Sequence, residues 1–356
     1  MPERIEARAP TRIDLGGGTV DLWPLYLLHQ RPITVNAAID LYARAVIERT
    51  ARPGIEIISL DRGTSMRASS VADLTGRLAS APPDLEFLMR LAAHFLGPGR
   101  PGGSPGEPAC RITTECLAPA GSGLGGSSTL GIALASALDR FVRRGLGPEA
   151  LLAVTRAIET QVLRIPTGEQ DYHPALRGGP LALHYTVEGT RIERLPIDLE
   201  ALRRRIVLID TGRPRSSGIS NWDMMKRHLD GDGRVRTALD RVISATHAIR
   251  SALIASDWDG AAAALAEEWE ARKTLSPTVS NDWIEQLIEG ARRAGASAAK
   301  ICGAGGGGCL VLWAAEGRQQ AIREKVISMG ARNLEVRFTS GGVETTEGPG
   351  PGSAAP

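Results

Sequence analysis

No apolar run in these 356 residues approaches the ~20 needed to cross a bilayer as a helix, and no charged-then-apolar leader opens the chain. A cytoplasmic protein without a membrane partner is the simplest expectation. Charge of one sign is also lacking: 42 Lys+Arg stand against 40 Asp+Glu, so no field draws the chain to nucleic acid. The basic residues are mostly arginine, a residue suited to forked contacts with phosphate or carboxylate. Cysteine is scarce, and neither Cys110 with Cys116 nor Cys302 with Cys309 has zinc-ligand spacing. All four read as small buried hydrophobes.

What the chain does have is glycine, set between regular elements. Pro119 to Thr129 carries glycines at 121, 123, 125 and 126, then Ser127, Ser128 and Thr129, then an apolar helical pattern through Leu130, Ile132, Leu134, Ala135, Leu138 and Phe141. Upstream, Ala109 to Leu117 alternates in the manner of a strand. Strand, glycine loop and helix N-terminus in that order can converge several backbone N–H groups on one anion, with the helix dipole favouring negative charge. Pro119, Gly121, Ser122, Gly123, Leu124, Gly125, Gly126, Ser127 and Ser128 are therefore the candidate phosphate contacts. No Lys precedes the hydroxyls, so the loop is not a Walker A motif, and no acidic residue is placed for a ribose as in a dinucleotide fold.

Two more glycine-rich stretches flank it. Arg8 to Leu22 reads as a strand, a glycine turn at Gly16 to Gly18 and then Asp21; Lys300 to Trp313 reads as a glycine loop running into a strand. Taken singly, each could be a turn or a hinge. Together and in this order, the three resemble the signatures of the GHMP kinases, the superfamily of galactokinase, homoserine kinase, mevalonate kinase and phosphomevalonate kinase. The segments Gly168 to Tyr172 and Asp210 to Ser217 look most like the heptose 7-phosphate kinase and fucokinase-like branch.

The resemblance implies an ATP- and Mg²⁺-dependent kinase, with transfer to a hydroxyl, the anomeric one in that branch, of a sugar or sugar phosphate. It implies Asp171 as the group that accepts the substrate's proton and Arg12 as the cation beside it. Glu159, twelve positions before Asp171, would complete the metal site with Ser127 or Ser128. Asp21 would bind sugar hydroxyls, with Gly17, Gly18, Thr19, Gly305 and Gly306 around it; Val20 stands where the branch usually places that aspartate.

Read without the resemblance, these residues keep ordinary alternatives. Glu159 fits a solvated helix face, Asp171 an Asx turn or helix cap, and Arg12 a strand-edge residue covering apolar surface. His173, next to Pro174, reads as a packing or substrate-shaping residue. Arg164, Arg177, Arg213 and Arg215 are candidates to meet a substrate phosphate. A mevalonate-type isoprenoid kinase and a catalytically silent ligand-binding relative stay open, as do monomer and homodimer.

Length suggests two domains at ~100–200 residues each. The element order reads as α+β, which permits the architecture that the resemblance implies: a ribosomal S5-like N-terminal domain over 1–190 and a ferredoxin-like C-terminal domain over 191–344. Residues 97–108 are rich in breakers and read as a surface loop or linker, and 345–356 as a disordered tail. Strands are expected at 205–210, 298–301, 309–314 and 333–337, and helices at 234–255, 258–275 and 281–294.

Overall fold

The computed structural model describes residues 3–97, 109–213 and 217–349, without the side chains of 217–220. The breaker-rich stretch from 98 to 108, Arg215, and the end of the tail lie outside the described residues. Twelve strands are present among those described: β1 (Arg4–Gly16), β2 (Ile33–Arg49), β3 (Gly54–Ser59), β4 (Thr64–Ala68), β5 (Ala109–Cys116), β6 (Pro180–Thr186), β7 (Gly189–Arg194), β8 (Ile206–Asp210), β9 (Ala296–Ile301), β10 (Cys309–Ala314), β11 (Arg332–Leu334) and β12 (Glu344–Gly348). The helices are α1 (Val71–Gly76), α2 (Pro83–Leu96), α3 (Gly126–Val142), α4 (Pro148–Leu163), α5 (Tyr172–Arg177), α6 (Leu199–Arg203), α7 (Ser217–Leu229), α8 (Gly233–Ile254), α9 (Trp258–Lys273), α10 (Asp282–Arg293) and α11 (Gln319–Ser328). None is long and apolar enough to cross a membrane.

An eight-stranded sheet runs β12-β1-β2-β5-β3-β4, with β6 on the far part of β2 and β7 on β6. A second sheet has the order β11-β8-β10-β9, all antiparallel. Helices between β8 and β9 and between β10 and β11 make it a β-α-β-β-α-β unit of ferredoxin-like form.

Burial follows from how the two sheets are covered. One core lies between the first sheet and α2, α3 and α4, with Ile5, Ile47, Ile57, Phe95, Ile132 and Leu138 among its members. Another joins Ile13, Leu15, Val35 and Ile39 of the first sheet to α8, α9 and residues Leu208, Val311 and Trp313 of the second. Strand β1 serves both. Its first residues alternate between buried and partly exposed, but from Ala9 to Gly16 every position is buried. A strand covered on both faces cannot show a clean period-two pattern, and polar residues placed there need partners. Arg12 and Asp14 are two such residues.

Three expectations are corrected. Residues 344–348 form β12, hydrogen-bonded in register to β1, so 345–348 is not a disordered tail; edge pairing supplies order where composition suggests none. The last strand of the second sheet is Arg332–Leu334 and does not continue to Arg337. A division at residue 190 would cut through β7, which stays with the first sheet to Arg194.

Candidate active site

The glycine loop after β5 turns back on itself before entering α3. Gly121, Gly123 and Gly125 take positive φ, whereas Gly126 is already helical, so three of the four expected glycines use the left-handed region. Gly125 is the N-cap of α3, and no side chain caps that end. The first amides of α3 have no partner within the helix, which is the arrangement that holds an anion.

Strand β1 ties this loop down. The Arg12 amide donates to the Leu124 carbonyl at 3.1 Å, and its guanidinium donates to the Gly123 carbonyl and to Oδ1 of Asp171. Burial disfavours the Arg12 cation, but Asp171 and Asp14 outweigh it and hold the guanidinium above its ordinary pKa. Asp171 occupies the N-cap position of α5 but makes no capping hydrogen bond there. Its carboxyl faces the loop instead: a Cβ added to Gly125 would lie 3.1 Å from the Asp171 Cγ. Neither the cap reading of Asp171 nor the surface reading of Arg12 describes what these side chains do.

Glu159 is buried on α4, contrary to a solvated-face reading. Its Oε2 accepts from the Ser128 hydroxyl at 2.8 Å and from the Tyr172 phenol. Burial pushes its carboxyl up, opposed by hydrogen bonds from Tyr172, Ser127 and Ser128. The set is hard oxygen throughout, which suits Mg²⁺, an ion that keeps several waters and takes one or two carboxylates with substrate phosphates. Among the described residues, no group of three His, Cys, Asp or Glu could hold a metal by itself.

The turn after β1 presents the candidate acceptor-side residues. The Val20 amide bonds the Gly17 carbonyl and the Leu22 amide bonds the Thr19 carbonyl, at 3.1 and 3.2 Å. These successive turns bring Asp21 inward. Its Oδ2 accepts the Gln170 amide at 3.0 Å, and burial raises its pKa to about 6.

One open cleft of about 430 Å³ collects these groups. Arg12, Thr19, Asp21, Glu159 and Asp171 line it, as do Pro119, Gly121, Ser122, Gly123 and Gly125 to Ser128. Leu124, Gly17 and Gly18 are not among its lining residues. Gly305 and Gly306 pack against Val279, and it is Gly303 and Ala304 that reach the cleft. Of the candidate phosphate-binding arginines, the three that are described do not converge there. Arg177 pairs with Glu149, Arg213 lies over the Trp283 ring and Arg164 caps α4. His173 is buried with Nε2 3.6 Å from Glu169, outside the cleft wall.

Residues 86–179 match the family model "GHMP kinases N terminal domain" and 249–332 match "GHMP kinases C terminal", together half of the chain. The chain belongs to the GHMP kinases. This GHMP kinase is 26% identical over 317 residues to the D-glycero-alpha-D-manno-heptose 7-phosphate kinase of Campylobacter jejuni, covering 87% of this chain and 89% of that protein. A mevalonate kinase of Methanothermobacter thermautotrophicus is 31% identical over 203 residues, 56% of this chain and 63% of that protein. A crystal structure of a D-glycero-D-manno-heptose 1-phosphate kinase from Bacteroides thetaiotaomicron superposes with a TM-score of 0.75 at 22% identity, covering 96% and 99% of the two chains. That likeness shows the shared fold.

Sequence reasoning missed several groups that line or adjoin the cleft. Ser59, Asp61, Arg62, Asp84, Phe87 and Leu88 also line the cleft. They come from the end of β3, the turn after it and α2, and no local motif marks them. Tyr172 adjoins Asp171 and could have been noticed as a phenol that burial obliges to find a partner.

Proposed function

We propose that this GHMP kinase transfers the terminal phosphoryl group of Mg·ATP to a hydroxyl of a sugar or sugar phosphate, with the anomeric oxygen of a heptose 7-phosphate-like substrate as the acceptor. The observation that carries the reading is the convergence, in one cleft, of a glycine loop that ends at the uncapped start of α3, the Arg12–Asp171 pair and the buried carboxylate of Asp21.

The loop amides and the start of α3 hold the polyphosphate. Ser127 or Ser128 and Glu159 would hold Mg²⁺, which when bound neutralises phosphate charge during transfer. Asp171 has one carboxylate oxygen on Arg12 and the other available to take the acceptor's proton. Arg12 keeps that carboxylate in place and lies beside the loop where negative charge develops. Asp21, acceptor-only when ionised, takes two hydroxyls of a polyol at once. Phosphoryl transfer asks for positioning and charge neutralisation more than covalent work, and each requirement has a residue here.

The similarity to a heptose 7-phosphate kinase over nearly the full length of both chains supports a sugar phosphate acceptor. A phosphorylation screen over heptose phosphates, simple hexoses, fucose and mevalonate, with NMR identification of the modified oxygen, tests it. Turnover of mevalonate and of no sugar would overturn the proposal, as would the absence of transfer to any of them.

A further inference from the structure

Four charged side chains beneath the acceptor turn take no part in the transfer just described. Asp14 lies on β1, Glu268 and Arg272 one turn apart on α9, and Lys300 at the end of β9; none is more than 1% exposed. Lys300 Nζ stands 2.9 Å from Asp14 Oδ2 and 3.8 Å from Glu268 Oε1, and Arg272 forks onto Glu268. Lys300 is one of only four lysines in the chain.

The cluster reaches the turn at four points. Arg272 Nη2 donates to the Gly18 carbonyl at 2.8 Å, and its Nη1 donates to the Thr19 hydroxyl at 3.4 Å. Glu268 Oε1 accepts the Gly17 amide at 3.2 Å. Asp14 fills the space under Gly18, where a Cβ would stand 2.3 Å from its Oδ2. Two of these contacts are matched in sign: the Arg272 cation on the Gly18 carbonyl, and the Glu268 carboxylate on the Gly17 N–H.

Stability alone does not account for such a cluster. Taking four charges out of water offsets most of their attraction, and apolar residues of similar volume would fill the core as well. The backbone it grips is strained. Thr19, a β-branched residue, has φ +76°, a conformation that persists only where its surroundings over-determine it. Two residues later comes Asp21, in the cleft wall.

We propose that Glu268, Arg272 and Lys300 are positioning residues of the acceptor site, through which the C-terminal domain holds Gly17 to Thr19 and so fixes Asp21 against Asp171. The inference rests on the reading of Asp21 as the acceptor-binding carboxylate. It assigns acceptor binding partly to a domain that contributes little to the cleft wall itself.

Arg272→Lys keeps the charge and loses the fork, and the pair Glu268→Gln with Arg272→Met removes both charges together. Both proteins should raise the acceptor KM about tenfold or more while the ATP KM holds within about twofold, since a small misplacement of binding groups is costly. Amide hydrogen exchange should quicken over residues 14–22 and not over 119–129. Unchanged exchange at 14–22, or equal effects on both substrates with a general loss of protection, would overturn the proposal. Should the wild-type protein transfer phosphate to no acceptor, the kinase reading falls, and the exchange measurement still decides whether the clamp exists. If the neutral pair does not fold, Arg272→Lys supplies the same comparison.

Discussion

The guanidinium of Arg12 donates to Oδ1 of Asp171, a residue 159 positions away in the chain, while a second nitrogen holds the Gly123 carbonyl. One buried cation thus fixes both the loop that would grip phosphate and the carboxylate that would receive a proton. Their separation is set by a planar fork, and a lysine cannot reproduce it. Arg12→Lys should therefore lower kcat with less effect on substrate affinities, and steady-state kinetics with each substrate varied would show the split. Equal losses in kcat and in both affinities would point to simple unfolding of the cleft.

Replacing Asp171 by Asn preserves the shape of the side chain and removes the carboxylate proposed to accept the proton. Turnover should fall by ~10²–10⁴, the usual contribution of a positioned base, with nucleotide affinity nearly intact. Single-turnover transfer and nucleotide binding by calorimetry check the two halves. A turnover number equal to wild type removes Asp171 from the chemistry.

Asp21 should impose a pH dependence on acceptor binding. Burial raises its pKa from 3.8 to about 6, so the charged form that would accept two hydroxyls is lost below that pH. The kcat/KM for the acceptor should fall as pH drops through about 6, and Asp21→Asn should give a low, flat profile there. Stability should run the other way. Between about 4 and 6 the folded protein binds more protons at this site than the unfolded chain, so this group's contribution to stability is full below 4 and is lost as pH rises through 6. Thermal melts of wild type and Asp21→Asn across that range provide the second test; curves that stay parallel throughout would refute the linkage.

Glu159 is buried beside two serine hydroxyls and a phenol, and burial works against its charge. Glu159→Gln should raise the Mg²⁺ concentration needed for half-maximal activity, yet leave the metal-free protein as stable as wild type or more so, because a buried charge is gone and its donors keep an oxygen acceptor. A metal titration together with melts in EDTA separates a ligand from a structural residue. An unaltered titration with a lowered melting temperature would assign Glu159 to the core alone.

How legible all this was in the sequence depended on how local the signal is. Cys110, Ile112 and Thr114 alternate along β5 and lead straight into the glycine loop, so strand, loop and α3 were readable from their own residues. Asp171, Arg12 and Asp21 came from motif resemblance, and their mutual geometry needed the fold. Gly305 and Gly306 were placed in the site because the motif runs through them, but Val279 occupies the space beside them and the cleft takes Gly303 and Ala304. Glu268 and Arg272 form an i,i+4 pair of the kind that is ordinarily solvent-exposed, and nothing local shows that a glycine turn 250 residues earlier closes over it. β12 was missed for the same reason: its polar residues are ordered by the edge of β1 and not by any pattern of their own.

Gly125 offers the sharpest test of the loop itself. It sits at φ +74° as the N-cap of α3, where an L side chain is strained by ~1–2 kcal/mol, and any Cβ there would press on Asp171 at 3.1 Å. Gly125→Ala should thus lower stability modestly but activity severely, because the same methyl group disturbs the anion-binding turn and displaces the carboxylate from Arg12. Gly145 has the same left-handed φ of +74° and nothing within 4 Å of its missing side chain. Gly145→Ala then carries the backbone strain without the contact. The two variants should melt within a few degrees of one another, while only Gly125→Ala loses phosphoryl transfer and nucleotide affinity. Equal activity in both would show that the loop does not meet the reacting groups.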